Sequence, residues 1–201
     1  VNYYNPEGCS ATIATVKNVS ILPLPVPVIT GPSNACLSPV FYMVYQYSTE
    51  PGMTGYNWTI SSGGLIITGA NTNTIQVYWN SPGVKFVSVN YSNTSGCEAI
   101  NPTQYTVIVD AVTIPGSVTG GTYISLGSPT DTLKIVGHRG SVLKWQKQHN
   151  QEPFSDIPFT AGLILYYEIP NSEGIWNYRT MVQNDLCSVE YSTFTTVTVI
   201  N

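Results

Sequence analysis

At 201 residues the chain has room for one large domain or two of ordinary size. Charged residues make up only 9% of it, the net charge is −4, and seven Lys and Arg are scattered singly, which excludes the basic patch of a nucleic-acid surface. Abundant Thr, Ser, Asn, Val, Ile and Tyr exclude disorder and fit stacked strands with uncharged outer faces, and no run of about 18 apolar residues offers a membrane span.

The chain opens on a copy of one of its own segments. Val1 to Ala11 read VNYYNPEGCSA and Val89 to Ala99 read VNYSNTSGCEA, with seven of eleven positions identical. Residues 1–24 are therefore expected to be the last two strands of a preceding repeat followed by a linker: a strand end, the turn Asn5-Pro6-Glu7-Gly8, an alternating strand from Thr12 to Ile21, and then Pro23-Leu24-Pro25-Val26-Pro27. Alternate prolines hold that last stretch extended and deny it ladder donors. The N-terminus has no charged-then-apolar signal pattern, so an export signal is expected to have been removed or to lie further upstream.

Residues 25–112 read as one full β-sandwich. The expected strands are Val40–Tyr47, Tyr56–Ile60, Leu65–Thr68, Thr74–Trp79, Val84–Tyr91 and Tyr105–Val109, with turns at Gly31-Pro32-Ser33 and Asn80-Ser81-Pro82-Gly83. Residues 113–201 read as a second, with strands at Thr132–Val136, Val142–Gln148, Leu163–Ile169, Gly174–Gln183 and Thr193–Ile200. No window has a helical period, so the fold class is all-β: two tandem immunoglobulin-like sandwiches after a two-strand remnant of a third. Trp58 and Trp145 each sit mid-strand among polar neighbours and are assigned to the cores. Tyr178 joins them from a segment spaced like a tyrosine corner, with Thr180 where an immunoglobulin domain places its second cysteine.

Catalytic chemistry has no motif here. GxSxG, HExxH, GxGxxG and P-loop patterns are absent. His138 lies in a glycine-bounded turn and His149 ends a strand; Asp110, Asp131, Asp156 and Asp185 sit near turns, where Asp bonds its own backbone. No CxxC or EF-hand spacing suggests a metal, so no cofactor and no metal site are expected. Tyr42, Tyr45 and Tyr47 must divide between the faces of one strand, and an outward Tyr could stack on a sugar ring or meet a partner.

Several segments carry a family resemblance: PxPxITGPxxxC (Pro25 to Cys36), TEPGMTGYNWTI (Thr49 to Ile60), IQVYWNSPGVKFVSVNYSNTSGC (Ile75 to Cys97) and the closing YTVIV. They resemble the PKD-like domains found in tandem in large secreted surface proteins of Bacteroidota. GSVLKWQKQ (Gly140 to Gln148) and YRTMVQNDLC (Tyr178 to Cys187) resemble the Ig-like modules that follow them. One departure is that Trp58 precedes TISSGG rather than the WDFGDG-like motif of ordinary PKD domains. The resemblance implies export by the type IX route to the cell surface, and a non-enzymatic role as stalk or adhesin modules in attachment or gliding-type adhesion. The alternative is a carbohydrate-binding or spacer module of a secreted multidomain hydrolase. The implied partners are neighbouring repeats of the same polypeptide, with a surface glycan or partner protein as a further possibility. Strand addition by residues 1–22 to another molecule is a third reading.

Four cysteines occur. By the repeat and the resemblance, Cys36 and Cys97 are expected to bridge at one end of the first sandwich. Cys9 and Cys187 are expected to lack intradomain partners, Ser125 standing where the second domain's early cysteine would be. Buried free thiols are the competing expectation.

Overall fold

The computed structural model describes residues 1–38 and 42–201; residues 39–41, where the strand expected from Val40 begins, lie outside the described residues. The first sandwich contains β1 (Asn34–Cys36), β2 (Val44–Ser48), β3 (Thr54–Ile60), β4 (Gly64–Thr68), β5 (Thr74–Trp79), β6 (Gly83–Ser92) and β7 (Thr103–Asp110). One sheet has the order β1-β7-β6-β3 and the other β2-β5-β4. β1 runs parallel to β7, and the remaining pairs are antiparallel.

Alternation builds the core. On β5, Ile75, Val77 and Trp79 are buried while Gln76 between them is exposed, as period two requires. With Tyr47 from the adjacent β2 they meet Trp58, Val87, Val89, Val107 and Val109 from the facing sheet. Burying each such side chain contributes about 1.5–3 kcal/mol. Trp58 donates its indole N–H to the Thr72 carbonyl at 2.8 Å, so its polar edge is satisfied inside the sandwich.

The second sandwich repeats the plan with β8 (Ser117–Thr119), β9 (Tyr123–Ser125), β10 (Leu133–Val136), β11 (Ser141–His149), β12 (Ser155–Ile157), β13 (Leu165–Tyr166), β14 (Gly174–Gln183), β15 (Glu190–Tyr191) and β16 (Thr195–Ile200). Its sheets are β12-β11-β14-β16-β9, with β15 on β14, and β13-β10-β8. β9 lies parallel to β16 as β1 lies on β7, and Ser125 faces Ile200 as Cys36 faces Asp110. Trp145 and Tyr178 have no exposed surface. Trp145 stands opposite Thr180 across the ladder, and Thr180 is likewise fully buried.

A half-buried carboxylate anchors this core. Glu168 accepts hydrogen bonds from the Tyr178 and Tyr166 hydroxyls, each at 2.8 Å, and pairs with the Lys147 ammonium at 2.8 Å. Burial first, then the hydrogen bond to Glu168 and its charge, push both tyrosine hydroxyls well above their ordinary range. The Glu168 amide and carbonyl also bond Thr130. These contacts turn the chain out of the ladder, so the strand expected over Leu163–Ile169 shrinks to β13, and Tyr167 and Ile169 are exposed.

Residues 1–24 depart from expectation. The turn at Asn5 to Cys9 forms, flanked by a single bridge between Tyr4 and Ser10, but no strand runs from Thr12 to Ile21. Ile13, Val16, Val19 and Ile21 are all exposed. A strand pair with no third strand or facing sheet has nothing to bury its apolar face against.

Candidate functional site at the domain junction

The cysteines correct the expected pairing. The bond joins Cys36 to Cys187, across the two sandwiches, with a Cα–Cα distance of 5.4 Å and a sequence separation of 151. Cys9 and Cys97 are the free thiols, so the expected Cys36–Cys97 bridge is absent and Cys187 is not unpaired. Strand direction explains the difference. Parallel pairing sets Cys36 beside Asp110, at the finish of β7, whereas Cys97 precedes its start at Thr103. Seven steps of about 3.3 Å separate those ends by about 23 Å, well past the ~7 Å Cα limit for a disulfide. The finish of β7 instead leads directly into the second sandwich, whose β14–β15 tip carries Cys187.

Local contacts hold both cysteines in place. The Tyr45 hydroxyl accepts the Cys36 amide N–H at 2.7 Å and donates to the Cys36 carbonyl at 3.0 Å, clamping the end of β1 to the opposite sheet. Tyr45 is thus neither fully inward like Tyr47 nor free like Tyr42, which is exposed and packs edge-on against Tyr78. On the other side, the Thr113 hydroxyl donates to the Ser188 carbonyl at 2.8 Å and accepts the Asn184 amide at 3.0 Å. The Asn184 side chain donates to the Ala111 carbonyl at 2.8 Å. The linker is therefore bonded to the tip that bears Cys187, and Cys187 itself is 4% exposed.

Two carboxylates face each other across the joint. Burial and the neighbouring Asp185 charge raise the Asp110 carboxyl above its ordinary value, while the Leu186 amide pulls the other way. With its folded value raised, Asp110 favours the joint in its protonated form. That contribution is complete below the ordinary carboxylate range and is lost as pH rises through the raised folded value. Asp185→Asn is therefore expected to firm the joint near neutral pH, by less than about 1 kcal/mol given the solvent around Asp185, and to change nothing near pH 3. Thermal unfolding of the reduced protein across pH 3–8 measures this.

Cys36, Asp110 and Cys187 offer ligand atoms within 4.8 Å of one another. The S–S bond consumes both sulfurs, and metal ligation requires thiolate, so the oxidised joint is a covalent staple rather than a metal centre. Beside it opens a cleft of about 720 Å³ lined by Leu37, Met43, Tyr45, Val112, Pro115 and Leu186. His149, by contrast, stacks on Trp176 at 4.4 Å with its Nε2 2.9 Å from the Glu173 carbonyl, at the far end of β11.

Trp58, Trp145 and Tyr178 belong to the two cores and do not meet at the joint. Sequence reasoning missed Tyr45, Thr113 and Asn184 as joint residues. Only the adjacency of Thr113 to the linker and of Asn184 to Cys187 signalled them, and only once the modules are placed end to end.

Residues 22–107 match the family model of the PKD-like domain, and residues 114–201 match that of a domain of unknown function, DUF8696. No curated protein matches the chain. Among solved structures, a three-Ig segment of titin in an E-to-A mutated variant is 12% identical with a TM-score of 0.49, over 86% of this chain and 65% of that one. An ICAM-5 ectodomain fragment is 8% identical with a TM-score of 0.46, over 86% and 50%. A domain fragment of intimin is 13% identical with a TM-score of 0.34, over 86% and 100%. The chain thus spans less than two thirds of the titin segment and half of the ICAM-5 fragment. By its sheets and its matched family model, the chain is an all-β pair of immunoglobulin-like sandwiches, the first of them PKD-like.

Proposed function

We propose that the chain is a non-enzymatic spacer of an extracellular protein, a stiff segment of a stalk or adhesin. The observation that carries this reading is the disulfide between the modules. A disulfide inside one sandwich would stabilise that sandwich; one between sandwiches fixes their relation. The hydrogen bonds from Thr113 and Asn184 add direction to that lock. Disulfides persist in oxidising compartments, which supports a location outside the cell. Among the described residues no helix is long and apolar enough to cross a membrane. Surface attachment or gliding-type adhesion in a secreted Bacteroidota protein, exported by the type IX route, fits the sequence resemblance.

Small-angle scattering of the oxidised chain and of Cys36→Ser tests the reading. The oxidised chain is expected to give a narrow interdomain distance distribution and the variant a broader one with a larger radius of gyration. Identical profiles for the two would refute a joint held by the bridge.

A further inference from the structure

The Cys97 tip is built like a bonding site whose partner is another module. Cys97 and Cys9 occupy the same turn: the Asn93 and Asn5 carbonyls each accept the Gly amide three residues on at 2.9 Å, and the Asn side chain caps the Cys amide at 2.9 and 2.8 Å. Gly96 and Gly8 supply the left-handed φ this turn needs, at 78° and 79°. In the second sandwich the corresponding tip, joining β14 to β15, holds Cys187, and there the cysteine is bonded to the first strand of the module before it. Position in the fold is equivalent. Thr103, at the Cys97 end of β7, bonds the incoming chain at Pro27, as Thr193, just before β16, bonds the incoming chain at Gly116.

What differs is coverage. Cys187 is buried under its neighbour, whereas Cys97 is partly exposed and carries a free thiol. The linker at the covered joint, Ala111 to Thr113, is half-buried or buried; its counterpart at the Cys97 end, Ile21 to Leu24, is exposed throughout. We propose that Cys97 receives the first-strand cysteine of another PKD-like module, docked on this end as the first sandwich docks on Cys187. This rests on the spacer reading and extends it to a series of bridged joints. The chemistry is thiol–disulfide exchange with a small oxidised disulfide such as glutathione disulfide. One cysteine forms a mixed disulfide and releases one glutathione. The Cys97 thiolate then attacks it, forming the interdomain S–S bond and releasing the second glutathione, so two thiols are oxidised and one disulfide is reduced to two thiols. Ser125, at the Cys36 position of the second sandwich, offers no such sulfur, so this type of bridge stops there.

The test inserts a second copy of residues 22–109 immediately before Leu22, with Cys9→Ser throughout and Cys97→Ser in the copy only. After oxidation in a glutathione buffer, free thiols are alkylated and peptides are mapped under non-reducing conditions. The expected result is two linked peptides, Cys36–Cys187 and Cys36–Cys97, with no alkylated cysteine. Two alkylated thiols, on the copy's Cys36 and on Cys97, beside an intact Cys36–Cys187 peptide would overturn the proposal while leaving the spacer reading standing. Loss of the Cys36–Cys187 peptide overturns both. Independently of that insertion, the chain carrying only Cys9→Ser is expected to show one thiol reactive toward Ellman's reagent without denaturant. A thiol that reacts only after unfolding also overturns the proposal.

Discussion

Pulled from its ends under oxidising conditions, the chain is expected to lengthen far less than its 201 residues allow. The bond between Cys36 and Cys187 short-circuits everything between them, so tension is borne only by the segments outside the loop, which include β1 and β16, and the chain between the two cysteines stays locked. Only the residues outside the bridge can extend. On reduction, the 151-residue span becomes available. At 3.3–3.6 Å per residue that adds about 500 Å of contour length. Single-molecule pulling with and without reductant reads this directly, and Cys187→Ser should behave as the reduced chain does. An oxidised chain that releases the full length in two unfolding steps would contradict the bridge. The same variant should be easier to unfold by denaturant, since closing a loop of order 100 residues is worth about 4–5 kcal/mol in the chain-entropy model. Only part of that gain is expected to be lost, because each sandwich has its own core and the bridge constrains mainly how one unfolds while the other stands.

Glu168→Leu should produce the largest loss of stability from a single change away from the bridge. Its carboxylate, 16% exposed, is the shared acceptor for the Tyr166 and Tyr178 hydroxyls and the Lys147 ammonium. Leucine fills the volume but leaves three donors without their partner, and Tyr178 has no exposure through which water could replace it. Orphaning three donors of a half-buried network costs about 3–5 kcal/mol in all, at about 1–3 kcal/mol for each donor left without a partner. For a domain of this size that is a fall of roughly 15 °C or more in the midpoint of the second sandwich. Thermal scans should therefore split into two transitions, with the PKD-like sandwich unmoved. Tyr178→Phe removes one donor together with its need, and about 1 kcal/mol is expected. Equal losses in the two variants would show that the cost lies in packing rather than in the orphaned donors.

Much of the fold was legible in the residues because strands announce themselves by period two. In TIQVYW the apolar Ile75 and Val77 flank the polar Gln76, and β5 occupies those residues, Thr74–Trp79, with the apolar pair buried and Gln76 exposed. A strand was likewise expected where β14 lies, Gly174–Gln183. Strands of two or three residues, such as β1, β9 and β12, are too short to display a period and were invisible. The N-terminal pair failed for the opposite reason: its alternation is clear, but alternation stabilises a strand only where another surface receives the apolar side.

The joint shows the same division. Sequence alone determined that the chain is all-β, that its modules repeat, that Trp58, Trp145 and Tyr178 are inward, and that the cysteines recur at corresponding turns. Which cysteine bonds which was decided by the tertiary structure, because pairing depends on which end of a sheet each turn occupies. The parallel seating of β1 on β7 carries Cys36 to the exit of the first sandwich and leaves Cys97 at its entrance. Spacing along a chain measures separation in residues, whereas a disulfide needs two Cα atoms within about 7 Å, and only the direction of the strands converts one into the other.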